Sequence, residues 1–346
     1  MIDLIQEVGR GKRGARDLTY EEAVQAAERI VSGEATDAQI GAFLVAERIK
    51  MESTEEILAF VHTLAAHSVR HPLPGSLDCA GPYDGRRHSF FATLPSAFVL
   101  AANGIPVTLH ASSPLPPKWG VALSDVIGEW GVRLDSLERL RYAAAVSGFW
   151  FVPSALGCPP LARLERIRKE LGLRTVLNTA EKLLRYSEAP YLAFGVFHGT
   201  VFEKMAALVT KLGIERALIV QGMEGSEDVP AHRRSRLYRV ESGVPELIIM
   251  DPELYELHAE AEETPKTAKE QAELARLVLS GEAEYSYTNM TILNSGLRLW
   301  LTGAAGTIEE GLELARVTLA SGQAHRKFIA WMEAVHTSAV SSPARP

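Results

Sequence analysis

The chain has 346 residues, of which 47% are hydrophobic and 23% charged, with a formal net charge of −7 and two cysteines. This composition predicts a globular protein with a large core and room for two domains. It excludes a membrane span, because no apolar stretch is long enough, and two cysteines are too few for a disulfide scaffold or a zinc site. The first thirteen residues lack the apolar core of a signal peptide, so we expect a cytoplasmic protein without a membrane partner.

The negative charge is distributed unevenly along the chain. Residues 251–284 contain ten acidic and three basic residues, so the remainder is about neutral. Residues 9–16 contain no acid and four basic residues, Arg10, Lys12, Arg13 and Arg16. Such a cluster is commonly a solvated face, but it is also the pattern of a surface that binds nucleic-acid phosphates.

The first seventy residues predict a small helical bundle. Three amphipathic runs each follow a capping box, formed by Thr19 with Glu22, Thr36 with Gln39, and Ser53 with Glu56. The stiff segment His71-Pro72-Leu73-Pro74-Gly75 comes next and predicts a hinge. We therefore expect a helical domain over residues 1–72.

A strand–turn–helix–strand pattern occupies residues 77–119. The predicted strand Leu77–Ala80 ends in a turn bounded by Gly81 and Gly85, a helix begins near Pro95, and a second strand covers Ile105–His110. Open parallel sheets hold phosphorylated ligands at such turns, where backbone N–H groups and a helix N-terminus face the anion. This stretch therefore predicts a phosphate site.

The rest of the chain predicts an α/β domain over 75–160 and 189–337, with helices from about 161–188 joining the helical domain. Predicted strands and extended pieces cover Phe149–Pro153, Thr175–Leu177, Tyr191–Phe197 and Ala217–Gln221, and Arg236–Val240 is expected to pair with Glu246–Met250 as a ribbon. From Thr264 onward the pattern is mainly helical, and residues 338–346 are expected to be a disordered tail. The predicted fold class is α/β, with a small helical domain hinged to a larger domain around a mainly parallel sheet.

The predicted helix Leu161–Leu171 carries an arginine in its apolar stripe. Arg168 lies among Leu164 and Ile167 in this projection, and a guanidinium there rarely stays unpaired. It either meets a buried carboxylate or points into a cleft to hold an anion. Residues 161–185 contain seven basic and three acidic residues, including Arg174, and can form one wall of a positive groove.

Three stretches, residues 18–50, 96–110 and 167–178, carry a resemblance to a known family. The chain resembles the anthranilate phosphoribosyltransferase and pyrimidine nucleoside phosphorylase superfamily, glycosyltransferase family 3, over nearly its whole length. The resemblance implies a dimer through the helical domain, with phosphoribosyl diphosphate and Mg²⁺ in the cleft between domains. It leaves the catalytic residues unknown here, because the phosphate motifs depart from the family pattern.

The family's phosphate turn G-T-G-G-D corresponds to Gly81-Pro82-Tyr83-Asp84-Gly85, where Pro82 removes a backbone donor. The family's N-x-S-T becomes Phe91-Ala92-Thr93-Leu94, and its K-H-G-N-R keeps only His110. The resemblance therefore places ligand or phosphate contacts on Gly81, Gly85, Thr93, His110, Lys118, Arg168 and Asn178. The family's magnesium-binding acids correspond to Glu227 and Asp228, which suit a hard cation, although the same turn also has the composition of a solvated loop.

Residues 9–18 and 151–183 resemble the YbiB-like paralogues of the family, which keep the fold and a dimer but bind nucleic acid. We therefore favour a homodimer that binds nucleic acid, single-stranded or duplex, through Arg10, Lys12, Arg13, Arg16, Arg86, Arg87 and Arg174. Tyr83, Phe91 or Trp119 could stack on bases. The alternatives are a Mg²⁺-dependent phosphoribosyltransferase with an altered acceptor, and a sensor or scaffold that binds a phosphorylated small molecule without chemistry.

Overall fold

The structure is a computed structural model that describes residues 1–11, 13–260 and 264–337. Lys12 and the predicted disordered tail at 338–346 lie outside the described residues. Among the helices of the described chain, none combines the length and the apolar character needed to cross a membrane.

The N-terminal part folds into helices α1 (Ile2–Val8), α2 (Tyr20–Val31), α3 (Asp37–Lys50) and α4 (Thr54–Ala66). The three predicted capping boxes are present, each with both reciprocal hydrogen bonds, so the predicted starts of α2, α3 and α4 are confirmed. Helix α1 was not predicted, because it is short and its N-cap, Met1, offers no side-chain hydrogen bond.

A single sheet forms the centre of the larger part of the molecule. Its strands are β1 (Leu77–Ala80), β2 (Val107–Ala111), β3 (Phe149–Pro153), β4 (Tyr191–Gly195), β5 (Arg216–Val220), β6 (Ser235–Glu241) and β7 (Val244–Met250). The strand order is β3-β2-β1-β4-β5-β6-β7, with parallel pairing from β3 to β5 and antiparallel pairing from β5 to β7. The predicted mainly parallel sheet and the predicted β6–β7 ribbon are confirmed.

The two ends of this sheet differ in burial. Every residue of β1, β2 and β3 is buried, as expected of parallel strands with helices on both faces. In contrast, β7 is the last strand of the described sheet and exposes Val244, Leu247 and Ile249. Its outer side therefore combines an open strand edge with apolar side chains.

The helices of the larger part are α5 (Thr93–Ala102), α6 (Leu123–Glu129), α7 (Leu137–Ser147), α8 (Ser154–Gly157), α9 (Pro159–Leu171), α10 (Val176–Ala180), α11 (Phe202–Lys211), α12 (Ala268–Ser280), α13 (Tyr285–Thr302), α14 (Ile308–Ala320) and α15 (Gln323–His336). The predicted extended piece at Thr175–Leu177 is wrong, because Asn178 accepts a hydrogen bond from the Thr175 N–H and starts α10. Helices α9 and α10 pack against α3, and α10 also packs against α4. The domain boundaries drawn from the sequence stay a prediction.

Candidate functional site

The sheet topology creates a crevice between β1 and β4. The chain leaves β1 toward β2 on one side, whereas β4 lies on the other side, so the connections diverge at the carboxyl ends of the two strands. Open α/β sheets bind ligands at such a switch point. A cavity of about 210 Å³ lies here, and residues 82–84 and 194–198, together with side chains from α3, α10 and α11, line it.

Three cations of this cleft form no ion pair within 4.0 Å in the described part of the chain: Arg48, Lys182 and Lys204. Lys182 Nζ donates to the Gly195 carbonyl at 3.1 Å, and Lys204 Nζ donates to the Glu52 carbonyl at 2.6 Å. A backbone carbonyl satisfies a hydrogen bond but does not neutralise an ammonium group. The cleft therefore offers positive charge that a ligand can use.

Three acidic side chains line the cleft, and two of them, Asp84 and Glu224, are already engaged. The third, Glu52, has its pKa raised by burial, while the nearby Arg48 and Lys204 charges act to lower it. Asp84 accepts hydrogen bonds from Arg174 at 2.6 and 3.0 Å, and Lys118 Nζ lies 3.3 Å from it. Glu224 accepts hydrogen bonds from the backbone N–H groups of residues 87–89 and from the Ser89 hydroxyl. Burial opposes ionisation of Glu224, but these donors outweigh it and lower the pKa of its carboxyl to about 2.

Among the exposed aromatic side chains are Phe197, which lines the cleft, and Trp119, which follows Lys118 in the chain. Phe197 is 45% exposed, and the Arg174 guanidinium lies over its ring, 4.8 Å from the centroid. Trp119 is 51% exposed and has a left-handed backbone with φ of 51°, which is rare for a bulky residue and is found mainly where surrounding structure imposes it. Exposed rings beside cations are the arrangement on which bases of a single strand stack.

A second charged cluster lies fully inside the protein. Arg86 is 0% exposed, and its two terminal nitrogens contact Asp228 at 2.6 Å and Glu227 at 3.0 Å. Arg298 Nη2 contacts the other Asp228 oxygen at 2.8 Å. Burial works to raise the pKa of Asp228, but the two guanidinium groups hold it below its usual range. We call these four residues the buried quartet.

The buried quartet does not fit a magnesium site. Two guanidinium groups already balance the two carboxylates, so a divalent cation finds no excess negative charge. Glu227 Oε2 lacks a hydrogen-bond partner, but one free oxygen is far from the near-octahedral set that Mg²⁺ needs. Within residues 1–11, 13–260 and 264–337, no group of three His, Cys, Asp or Glu side chains is placed to hold a metal ion.

Several predicted phosphate contacts serve the interior instead. Gly85 has φ of 77°, and a Cβ there would lie 2.4 Å from the Gly120 carbonyl oxygen, so only glycine allows this turn. The Thr93 N–H donates to Asp228 at 3.0 Å. His110 is buried between Asp78, at 3.0 Å, and the Tyr83 hydroxyl. These side chains lie behind the cleft wall and do not face a ligand.

The other predicted contacts divide between the cleft and the core. Asn178 lines the cleft, and Lys118 lies beside it with its ammonium group 2.8 Å from the Glu224 carbonyl. Gly81 packs against the buried quartet, because a Cβ there would lie 2.9 Å from Glu227 Oε2. Arg168 forms two hydrogen bonds to buried Glu181, at 2.6 and 2.8 Å, so the structure shows the buried ion pair.

The predicted nucleic-acid residues are not brought to one surface. Arg86 was predicted to contact nucleic acid, and this is wrong because its side chain is fully buried. Arg174 lines the cleft, whereas Arg87 is exposed and donates to the Lys118 carbonyl at 2.7 Å. The N-terminal cluster lies apart from it, with Arg10 and Arg16 paired to acids and Arg13 exposed.

Three cations give the cleft its charge, Arg48, Lys182 and Lys204, and only Lys182 belongs to the segment 161–185 that is predicted to form a positive wall. They come from α3, from the turn Glu181–Leu183 and from α11, so only tertiary packing brings them together. Phe197 had a usable signal, because it follows a buried strand in the run Phe197-His198-Gly199. Loop residues at the carboxyl end of a parallel strand are common ligand contacts.

Comparisons with known proteins agree with this architecture. Residues 83–325 match the glycosyl transferase family a/b domain, and residues 2–68 match its helical bundle domain. An anthranilate phosphoribosyltransferase of Acetivibrio thermocellus is 30% identical over 324 residues, which is 92% of this chain and 93% of that protein. The chain also matches the bifunctional protein TrpGD of Thermotoga maritima with 30% identity, where 90% of this chain covers 53% of that longer protein.

Solved structures show the same fold. The anthranilate phosphoribosyltransferase of Thermus thermophilus superposes with a TM-score of 0.84 at 26% identity, over 97% of this chain and 100% of that one. The enzyme of Saccharomyces cerevisiae in complex with PRPP and Mg superposes with a TM-score of 0.83 at 20% identity, over 97% and 98% of the two chains.

Proposed function

Because the chain belongs to the glycosyl transferase family that joins a helical bundle to an α/β domain, we propose that its cleft binds single-stranded nucleic acid. The observation that carries this proposal is the set of cations that form no ion pair, Arg48, Lys182 and Lys204, in a cleft that the exposed ring of Phe197 also lines. Cations that follow a phosphate backbone and rings that stack on bases are what such a ligand requires.

The size of the cleft favours a single strand over a duplex. A cavity of about 210 Å³ is too small for a double helix. Phe197 and Arg174 line the cleft, and neighbouring nucleotides of a strand would lie against them. Since any base has a face to stack, we expect weak sequence preference and strong dependence on salt.

The departures from the family's phosphate motifs support a role without magnesium. In the buried quartet, Arg86 and Arg298 neutralise the two acids that correspond to the family's metal ligands. Those two acids are therefore not available to bind the magnesium ion that would accompany a pyrophosphate. A ligand bound here would meet protein cations directly, as a nucleic-acid backbone does.

The proposal includes a homodimer through the helical domain. An apolar groove between α1, α3 and α9 supports it, since Ile49 is 72% and Met51 57% exposed at its border. A second copy would cover these side chains and would place two clefts in one particle. Sedimentation of the parent and of Ile49→Glu tests this, because the charged variant should shift toward monomer while it keeps its helical content.

The test of nucleic-acid binding is fluorescence anisotropy of a labelled single-stranded oligonucleotide at several salt concentrations. The parent should bind at low salt with affinity that falls as salt rises, and Arg48→Ala/Lys204→Ala should bind at least tenfold more weakly. Arg316→Ala, which removes a half-exposed arginine from α14, is the matched control. Absence of binding at low salt, or equal binding of a duplex, would contradict the proposal.

A phosphoribosyltransferase with an altered acceptor is the second candidate function. Its support is the position of the cleft at the switch point of the family fold, in a relative of the enzyme that was solved with PRPP and Mg. Release of pyrophosphate from phosphoribosyl diphosphate, measured with a panel of acceptors with and without Mg²⁺, would distinguish it. Turnover that needs Mg²⁺ would overturn our assignment of the buried quartet.

A further inference from the structure

The floor of the cleft holds a lysine whose ammonium group forms no ion pair with any residue that the structure describes. Lys182 lies in the 3₁₀ turn Glu181–Leu183 after α10, and its Nζ donates one hydrogen bond, to the last carbonyl of β4 at 3.1 Å. Asp84, a carboxylate of the same cleft, is held by Arg174 and Lys118. The Lys182 amine is therefore left with free positions toward the cavity, which it lines.

The surroundings of Lys182 favour its neutral form. Burial lowers the pKa of its ammonium group to about 8; Asp84 and Glu227 oppose this shift, and the neighbouring Lys118 and Arg174 cations add to it. An unperturbed lysine has a pKa of about 10.4, so the neutral fraction at pH 7 is more than a hundredfold larger here. A neutral amine on a half-buried lysine is a nucleophile toward carbonyl carbon.

We propose that Lys182 captures the aldehyde of a phosphorylated sugar as an imine. The amine nitrogen bonds to the carbonyl carbon, and the carbonyl oxygen leaves as water with the two amine hydrogens. No oxidant, reductant or metal is needed for this step. The aldehyde can belong to a nucleotide that has lost its base within a strand, or to a free sugar phosphate, and the first source rests on the proposed nucleic-acid function.

The other cleft residues suit this substrate class. Arg48 and Lys204 form no ion pair in the described part of the chain, although the Glu52 carboxyl lies near both, and they can hold the phosphate that such a sugar carries. A cavity of about 210 Å³ accepts a sugar phosphate without a base more readily than a complete nucleotide. In a strand, a base beside the baseless position would lie against Phe197, which lines the cleft.

The experiment is reductive trapping of the full chain with sodium cyanoborohydride. Ribose 5-phosphate and an oligonucleotide with one abasic site serve as separate probes, and intact mass with peptide mapping locates the adduct. The parent should form one adduct per chain, at Lys182. Lys182→Arg, which keeps the positive charge, should lose at least 90% of the adduct, and the control variant Lys269→Arg, at an exposed lysine on α12, should retain the adduct.

The arms of this experiment separate the two proposals. Trapping of ribose 5-phosphate without any oligonucleotide binding would support the imine and reject the nucleic-acid function. Oligonucleotide binding without an adduct from either probe would overturn the imine proposal alone. Adducts spread equally over other lysines, or retained in Lys182→Arg, would also overturn it. The trapping rate should rise with pH to a midpoint near 8, whereas an ordinary exposed lysine would continue to gain reactivity toward pH 10.

Discussion

The buried quartet and the cleft contain the same kinds of charged side chain but differ in how these are paired. In the quartet, two guanidinium groups meet two carboxylates at 2.6 to 3.0 Å, and all four side chains are buried. In the cleft, Arg48, Lys182 and Lys204 form no ion pair within 4.0 Å among the described residues. The two regions are neighbours, because Gly81 packs on the quartet and Pro82 lines the cleft.

The difference teaches where this fold can accept a ligand. Charges that satisfy each other in the interior hold the turn after β1 in place, and a ligand would have to displace a protein group to use them. Charges that lack partners remain available, and they lie where the sheet topology opens the crevice. We therefore propose that the ligand is an anion and that it meets the cleft cations directly.

Removal of a quartet cation should have the largest effect on stability. Arg86→Ala leaves Glu227 and Asp228 with one guanidinium between them in a buried position, and we expect a loss of about 3–5 kcal/mol in the free energy of unfolding. Denaturant titration measures this loss. Arg87→Ala, one residue away and exposed, is the control and should change stability by less than about 0.5 kcal/mol.

Arg86→Ala should also turn the quartet into a site that attracts a cation. With Arg86 gone, the two acids carry excess negative charge, and millimolar Mg²⁺ should raise the thermal midpoint of Arg86→Ala while it leaves the parent unchanged. An equal Mg²⁺ effect on both proteins would contradict the statement that the quartet excludes the metal.

The Glu47 carboxyl is buried, and few interactions stabilise its ionised form. We therefore expect it to make the stability of the protein depend on pH. Both its carboxylate oxygens lack a hydrogen-bond partner, and Lys50 Nζ is 3.8 Å away and shared with Glu56 and Asp17. Burial, with the nearby Glu56 carboxylate, raises the pKa of Glu47 to about 8 from a usual 4.5. The folded state therefore binds more protons between these values, and stability falls as pH rises from about 4.5 to 8.

The slope from Glu47 cannot exceed one proton, which is about 1.4 kcal/mol per pH unit. Unfolding titrations at pH 5, 6, 7 and 8 measure it, and Glu47→Gln should flatten it. Glu21→Gln, an exposed acid on α2, should leave the slope unchanged. A parent protein whose stability rises over this range would show that Glu47 is ionised in the fold.

Loss of a ring at the mouth of the cleft should weaken binding without weakening the fold. Phe197→Leu removes one stacking surface, and we expect a loss of about 1–3 kcal/mol in the free energy of oligonucleotide binding. Tyr285→Leu removes a ring that is 85% exposed on α13 and serves as the control. Equal losses from both variants would mean that stacking at the mouth is not specific.

Single cation removals in the cleft should produce the smallest effect, seen in salt dependence. For a single strand, each phosphate contact contributes about 0.7 to the slope of log affinity against log salt. Arg48→Ala and Lys204→Ala should therefore each reduce the slope by about 0.7. Arg316→Ala should leave the slope unchanged. If Arg48→Ala or Lys204→Ala lowers the affinity but not the slope, the replaced side chain does not contact a phosphate.

The fold could be predicted because its signals are local. The capping boxes at Thr19, Thr36 and Ser53 place the starts of three helices, and the buried run Phe149–Pro153 is a strand with the predicted bounds. Thr175–Leu177 was misjudged because its β-branched and apolar residues look extended, whereas the Asn178 side chain starts a helix there.

The site could be predicted only in position. The turn after Leu77–Ala80 does border the cleft, but whether each charged side chain is paired depends on residues far along the chain. Arg86 is neutralised by residues more than 140 positions away, and the alternatives for Arg168 could be decided only once Glu181 was seen at 2.6 Å. The cations of the cleft carry no pattern of their own, because three separate segments supply them.

The exposed edge of β7 has a consequence for handling the protein. Its apolar side chains invite edge-to-edge pairing between molecules, which Pro245 and Glu246 on the same strand only partly discourage. Such self-association is driven by apolar contact and strengthens in salts that are excluded from protein surfaces, such as sulfate. Nucleic acid bound at the cleft would dissociate as salt rises, so a purification that raises salt to strip nucleic acid favours precipitation through β7.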